Sequence, residues 1–433
     1  MSFFSDYYNF VKEDEPPLPF QLWTSLTVVS ALLGRSVFFP MGHFNVFPNL
    51  YVLLVGNPGS RKTTAMNVGR DFLRDSDLVP MAPSSSTRES LIQHFTEPYS
   101  RIEFSLGSNT VSYRQQTVMA SEFSEFIGGK HINDDMIRFL TGIWDENKFV
   151  YTTRNKGSFE IDHPYLCMIG CCTSKWLQTQ MKSNLITDGF ARRMCFVHQE
   201  SLNKSVTFPE LSLDQLKAMK NVNSSLPRIF NLKGMFKVTL PAREYFEHFY
   251  TDLNKRIPNA PPILQYFYSS KATLALKVAM CISAGITDTL VIDSQMLKLA
   301  VKLLDETERD MMRLLGGLGR NELKPFFDEV LLYIQKRACK VSLGEIIDQF
   351  SKDLSMLEIN EAITALVESK ALERSVAEDG QGFLYRSTEC HVARSDSNLF
   401  QELAALSARQ EGVYQMTVAN LELLHPDLKT AKS

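Results

Sequence analysis

The chain has 433 residues, 44% hydrophobic and 22% charged, and its 46 Lys and Arg against 49 Asp and Glu leave a net charge of −3. At roughly 150 residues per domain, this length predicts about two to four domains with full hydrophobic cores. These totals exclude a collagenous, disordered or disulfide-stapled chain, and they leave no global basic field, so any nucleic-acid site must be local.

The first residues, Met1-Ser2-Phe3-Phe4-Ser5-Asp6, lack the basic opening of a signal peptide. Glu13-Asp14-Glu15 and Pro16-Pro17 end a short entry segment, and Phe20–Leu33 predicts a mostly buried helix closed by Gly34. The apolar stretch Leu22–Phe39 is interrupted by Thr24, Ser25, Thr27, Ser30, Gly34, Arg35 and Ser36. It falls short of the roughly 20 clean residues of a membrane span, so a soluble, cytoplasmic protein without membrane contact is expected. Short strands are expected at Ser36–Pro40 and Asn45–Phe47, then a doubly buried strand at Leu50–Val55.

That strand runs into Gly56-Asn57-Pro58-Gly59-Ser60-Arg61-Lys62-Thr63-Thr64, followed by a helix to about Arg74. The pattern G-x-x-x-x-G-K-[ST] between strand and helix is a phosphate-binding loop, in which backbone N–H groups and the helix N-terminus cradle phosphate oxygens. Lys62 would reach the β/γ-phosphates of ATP, and Thr63 would place its hydroxyl on Mg²⁺. Arg61 departs from the pattern, standing where the second glycine is usual. The alternative reading is a glycine-rich turn that happens to precede a helix.

Ser84-Ser85-Ser86-Thr87 can cap an expected helix at Arg88–Phe95. The apolar strand Gln116–Ala120 leads to Ser121-Glu122, where Glu122 is placed to orient or deprotonate an attacking water and Glu125 is an alternative. Ser121 brings no carboxylate. Helical pattern follows at Ile132–Trp144, then an alternating hairpin over Lys148–Ile161 turning at Arg154-Asn155-Lys156-Gly157. A further buried strand, Tyr165–Cys172, ends at Thr173, which either touches the γ-phosphate or caps the next helix. Arg192 and Arg193 precede the strand Met194–Val197. They are either structural or guanidinium groups presented to a neighbouring subunit's phosphate.

Helical periodicity returns at Glu244–Asp252, Lys271–Ser283 and Ser294–Leu315 before a break at Gly316-Gly317 and Gly319. Helices at Pro325–Lys336, Leu343–Phe350 and Ser355–Ser369, with the hairpin Glu373–Ala377 and Phe383–Arg386, predict a winged helix. Ser355 and Glu358 form a capping-box pair. Residues 325–386 hold seven Lys/Arg against eleven Asp/Glu, a net of −4, so this unit is expected to meet a protein, or DNA by a surface other than the recognition helix and wing. In the tail, Leu399–Ser407 is amphipathic and docks either on the body or on a partner. The seven cysteines, Cys167, Cys171, Cys172, Cys195, Cys281, Cys339 and Cys390, form no C-x-x-C pair and read as reduced, mostly buried thiols rather than a zinc site.

The run Pro48–Thr63 resembles the helicase-like P-loop ATPases of bacteriophages and prophages, where Arg-Lys-Thr is a common ending. Ala31-Leu32-Leu33-Gly34-Arg35, Pro164–Thr173, Gly189-Phe190 with Arg193, and Lys277-Val278-Ala279-Met280 also match. The resemblance covers about residues 5–315, and Ser121 is its main departure. It implies an AAA+-type fold, assembly into a homo-oligomeric ring such as a hexamer, and a role in DNA replication. It also places the arginine acting across the subunit boundary at Arg193. Ring helicases project a hairpin into the pore from the interval that here holds 148–159. Lys148, Arg154 and Lys156 would meet DNA phosphates there and Tyr151 or Phe159 would stack on bases. The alternative is a solvated turn over core aromatics. Residues 148–193 carry seven Lys/Arg against three Asp/Glu, a local +4.

The expected fold is thus α/β: a P-loop NTPase (AAA+-like) parallel-sheet core with helical N-terminal and lid regions, plus a C-terminal winged-helix domain. The predicted divisions are 1–44, 45–205, 206–320, 321–390 and a tail 391–433. The expected activity is that of an ATP-dependent, ring-forming DNA helicase or translocase on single-stranded or forked DNA. A helicase loader or origin-binding ATPase, and a non-hydrolysing nucleotide-binding scaffold, are the alternatives.

Overall fold

The computed structural model describes residues 2–129, 133–153, 157–180, 189–287, 289–315, 330–331, 333–335, 337, 340–351, 355–368, 371–376, 383–387 and 399–410. The chain is mixed α/β and divides into two compact units, one of residues 1–315 with 399–433 and one of 316–398.

The larger unit is built on a five-stranded sheet. Its strands are β3 (Tyr51–Val55), β4 (Arg101–Leu106), β5 (Asn109–Ala120), β8 (Pro164–Cys172) and β9 (Met194–His198). They lie in the order β4-β5-β8-β3-β9. Strands β5, β8, β3 and β9 are parallel, and β4 closes one edge as an antiparallel hairpin with β5. Every residue of β3 and β8 is buried, the continuous apolar pattern of strands covered on both faces. Sequence periodicity found the last five residues of β5 but not the β4–β5 hairpin. The first third of β5, Asn109–Ser112, is exposed or half-buried and polar apart from Val111, so no apolar run marks it.

Helix α1 (Phe3–Val11) and helix α2 (Leu18–Leu33) precede the sheet. Fourteen residues of α2 are buried, so it is covered all round rather than amphipathic. Three of the four hydroxyls that interrupt its apolar pattern find partners inside the core, and the buried Thr24 hydroxyl has none among the described residues. Ser25 donates to Leu22 O, Thr27 to Trp23 O, and Ser30 to Pro48 O at 2.7–2.8 Å. No helix among the described residues is long and apolar enough to cross a membrane.

A small hairpin of β1 (Val37–Met41) and β2 (Phe44–Val46) follows α2. Helix α3 (Lys62–Ser76) packs on α2, where Gly69 leaves room for Thr24 and Val28. Helices α4 (Arg88–Thr96), α5 (Phe123–Phe126) and α6 (Asp134–Gly142) lead to the hairpin β6 (Lys148–Thr153) and β7 (Gly157–Asp162), and α7 (Ser174–Gln180) follows β8. Helix α8 (Leu213–Phe230) adds an element to those expected: Ser212 and Gln215 form a full capping box at its start, and Pro227 lies inside its last turn. After the short strands β10 (Gly234–Met235) and β11 (Lys237–Val238) come α9 (Leu240–Arg256), α10 (Pro262–Ile286), β12 (Val291–Ile292) and α11 (Ser294–Leu315). The tail settles on this unit: residues 399–410 are helical, Phe400 meets the rings of Tyr7 and Tyr8, and Lys302 pairs with Glu402 at 2.9 Å.

The smaller unit holds β13 (Val341–Ser342), α12 (Leu343–Phe350), α13 (Met356–Glu368), β14 (Leu372–Val376) and β15 (Phe383–Ser387). Its antiparallel sheet runs β13-β15-β14 over a core that includes Val330, Ile334, Ile346, Ile359, Ile363 and Tyr385. Ser355 receives the Glu358 N–H and returns its own N–H to the Glu358 carboxylate at 2.8 Å, the expected capping box. The glycines at 316, 317 and 319, the start of the helix at Pro325, the turn at 377–382 and Cys339 and Cys390 lie outside the described residues.

Candidate functional site

The loop 56–61 leaves the carboxyl end of β3, the strand flanked by β8 and β9. Register puts Val55 opposite Cys172 and His198, and Ala120 opposite Gly170. Glu122 and Thr173 therefore emerge at the same sheet edge as the loop. Carboxyl ends of parallel strands are where open α/β sheets place ligands.

Two left-handed residues shape the loop, Gly59 at φ +86° and Arg61 at φ +58°, ψ +24°. Such residues interspersed in a turn are what form an anion-binding concavity. At Arg61 the glycine-like backbone is kept without a glycine, at a strain of about 1 kcal/mol. A Cβ on Gly56 would come within 2.3 Å of Gln199 O and 2.7 Å of Ser60 Oγ, so this position has no room for a side chain. At Gly59 a Cβ would meet nothing within 4 Å, leaving that side of the turn open.

Lys62 opens α3. Its Nζ donates to Gly56 O at 2.8 Å, Asn57 O at 2.9 Å and Ser60 Oγ at 3.1 Å. Burial lowers its pKa, against the upward pull of Cys171, Cys172 and Glu122. The ammonium thus lies inside the turn. The Thr63 hydroxyl meets the Cys171 thiol, which burial pushes up to about 12. Asn57, Pro58 and Gly59 are exposed, Ser60 is buried and Thr64 is exposed. Glu122 is exposed at the start of α5, and the N–H groups of Glu125 and Phe126 donate to its carbonyl. The turn that presents Glu122 rests on the sheet through Phe123, whose ring lies 2.7 Å from where a Gly170 Cβ would stand. The residue set fits a nucleotide triphosphate: a glycine with no side-chain space, an open left-handed turn, an inward lysine and a carboxylate across the edge. It also fits Mg²⁺, which takes few protein ligands and completes its shell from phosphates and water. Three or more clustered His, Cys, Asp or Glu are absent among the described residues, so no all-protein metal cage is present there.

The other expected site residues are placed as follows. Thr173 Oγ1 accepts the Trp176 N–H at 3.2 Å and caps α7, the second of its two readings. Arg192 and Arg193 lie at the opposite end of the sheet, because Met194 pairs with Tyr51 while His198 pairs with Val55. At about 3.3 Å per residue they stand roughly 15 Å from the loop of their own chain. Arg193 donates to Gly189 O at 2.8 Å and lies 3.7 Å from Asp145, with 13% of its side chain exposed. Burial lowers its pKa. Arg192 reaches Ser269 Oγ at 3.3 Å.

On the hairpin, Lys148 pairs with Glu160. Tyr151 lies under the Arg88 guanidinium, 4.7 Å from its ring centre, and accepts a 2.7 Å hydrogen bond from Arg88. Arg154 and Lys156 lie outside the described residues, as does Asp188.

Sequence reasoning missed two features. One is Glu15, which pairs with Arg61 at 2.7 Å across 46 residues of chain. The other is a buried polar cluster at the amino end of β3. There Lys277 donates to Asn49 Oδ1 at 2.5 Å and lies 4.4 Å from the Trp144 ring, while Arg35 donates to Glu146 O and Pro164 O. Neither had a local sequence signal, since each joins residues far apart in the chain. Compared with known proteins, the chain matches no family model, and no curated protein matches it.

Proposed function

We propose that the larger unit is a P-loop ATPase of AAA+ type, and that the chain works as a ring-forming DNA helicase or translocase of a phage or mobile-element replication system. The observation that carries the ATPase reading is the juxtaposition at one sheet edge. A left-handed Arg-Lys-Thr loop leaves the strand between β8 and β9, with Glu122 just past the end of β5, one strand further along. The helicase step rests on the resemblance of residues 5–315 and on the local +4 of residues 148–193.

Bound ATP would supply the phosphoanhydride to be cleaved, with Mg²⁺ neutralising its oxygens. On the protein side, Lys62 would exchange two loop carbonyls and the Ser60 hydroxyl for phosphate oxygens, a trade of neutral acceptors for charged ones. Thr63 would give its hydroxyl to the metal, and Glu122 would take or orient the proton of the attacking water. Gly56, Asn57, Pro58, Gly59, Ser60, Arg61 and Thr64 supply the rest of the cradle. Arg192 and Arg193 stand too far from their own loop to serve it, so a catalytic role for either would be across the boundary with a second protomer, as the resemblance implies for Arg193. Thr173 would line the edge through its hydroxyl while capping α7. The hairpin residues Lys148, Tyr151, Arg154 and Lys156 would contact single-stranded DNA. The smaller unit has the element order of a winged helix, and its net −4 favours a replication protein as its partner.

Phosphate release from ATP, with and without single-stranded DNA, tests the ATPase core. Wild type should turn over, Lys62→Ala should lose nucleotide binding, and Glu122→Gln should bind but not hydrolyse. Ser121 is the specific feature favouring a second reading, a non-hydrolysing scaffold, because it leaves the metal without the usual carboxylate. Turnover no greater than that of Lys62→Ala would select that reading. A strand-displacement assay separates the helicase from a loader.

A further inference from the structure

We propose that Glu15 is a positioning residue for the phosphate loop: its carboxylate holds Arg61 in the left-handed turn that glycine would take unaided. The inference rests on the ATPase reading of that loop. Arg61 is the only non-glycine at positive φ in the loop, and it caps α3 one residue before Lys62. An L-residue with a long side chain disfavours that backbone region, so the turn needs a compensating contact. The only ion pair of Arg61 among the described residues is with Glu15, Nε to Oε2 at 2.7 Å.

Glu15 is itself fixed in place. Its Oε1 accepts the Val206 N–H at 3.3 Å, and its backbone carbonyl accepts the Asn203 N–H at 2.9 Å. Asn203 Nδ2 donates to Lys12 O at 3.2 Å and Asp14 O at 3.0 Å. Gln215 of α8 donates to Phe10 O at 2.9 Å and to Asp14 Oδ1 at 3.2 Å. Lys204 pairs with Glu13. The same stretch after β9 supplies the Gln199 carbonyl that fills the space beside Gly56. Residues 199–206 thus brace the loop at both ends, directly at Gly56 and through Glu15 at Arg61. A braced turn presents its N–H groups already arranged. An unbraced Arg61 would spend part of its time outside the left-handed region, lowering the fraction of molecules competent to bind.

The Arg61 side chain is 48% exposed and that of Glu15 21%, so the pair is a partly solvated one of modest strength. The test is a double-mutant cycle on the full chain with Glu15→Ala, Arg61→Gly and both, read by the Kd of a fluorescent ADP with Mg²⁺. Glu15→Ala should weaken binding about three- to fivefold. In the Arg61→Gly background the same change should have no effect, because glycine holds the turn without help. Glu15→Gln, which keeps the shape, should show most of the Glu15→Ala loss. The unfolding temperature of each apo protein separates a folding defect from a positioning one, since Arg61→Gly would not rescue the former. Unchanged affinity in both Glu15 variants, or an equal loss in both Arg61 backgrounds, overturns the inference. Lys62→Ala is the control for the loop itself. If it binds as tightly as wild type, the ATPase reading fails. If only Lys62→Ala weakens binding, that reading stands and the role of Glu15 falls.

Discussion

Replacing Lys277 by Met probes the buried polar cluster through its dependence on pH. The Lys277 side chain is only 2% exposed. Burial lowers its pKa to about 7; Asp145 pulls it up, Arg193 and Arg35 push it down, and Cys281 pulls it up. In an unfolded chain lysine titrates at about 10.4. Between about pH 7 and pH 10 the unfolded state therefore carries a proton that the folded state lacks, and stability rises with pH. Below about pH 7 both states are protonated and the cost of the buried charge is present in full. Each pH unit inside the window is worth up to about 1.4 kcal/mol. Other groups act in the opposite sense. Burial raises the pKa of Cys167, Cys171, Cys172, Cys195 and Cys281 and of Tyr7, Tyr51, Tyr113 and Tyr165. Their unfolded forms lose protons first, so they remove stability as pH climbs past about 8.5. Urea denaturation of wild type and Lys277→Met side by side from pH 7 to 9 cancels those shared contributions. Wild type should gain about 2 kcal/mol relative to the variant across that window. A difference that stays constant with pH would refute the assignment of a neutral, buried amine at the amino end of β3.

Other changes test the loop and its surroundings. Gly56→Ala forces a methyl against Gln199 O and Ser60 Oγ, so calorimetry should show a loss of about 1–3 kcal/mol in stability together with weaker nucleotide binding. Gly170→Ala pushes on the Phe123 ring beneath Glu122, and steady-state kinetics should show kcat falling more than nucleotide affinity. Lys156→Ala should weaken single-strand binding, measured by fluorescence anisotropy, and flatten its log–log salt dependence by about 0.7, while nucleotide affinity stays unchanged. Ser355→Ala removes the cap of α13 and should cost about 1 kcal/mol in the denaturation of the smaller unit.

The strands that built the site were legible because they are buried on both faces. Tyr51–Val55 and Pro164–Cys172 are unbroken apolar runs, and their boundaries fall within a residue of those expected. Gly56 and Lys62-Thr63 at the usual spacing after such a run were enough to place the loop, and the odd residue Arg61 holds the positive φ that explains why glycine is usual there. What stayed hidden depends on contacts between distant segments. Nothing near Glu15 announces a partner 46 residues away. Nothing in the sequence Ser-Leu-Pro-Arg of 225–228 reveals that a helix runs through Pro227, because the capping box at Ser212 and burial of Val222, Leu226 and Ile229 decide it. The partners of Tyr151 and Arg193 were equally hidden: a structural role was one of two readings for each, but nothing along the chain pointed to Arg88, Gly189 or Asp145.

Electron microscopy of the full chain with ATPγS, Mg²⁺ and a forked DNA tests the central claim most directly. The account predicts closed rings with nucleotide density in the turn between Val55 and Lys62, and an arginine of the 192–193 pair facing it from the adjacent protomer. Isolated protomers with nothing bound in that turn would contradict it.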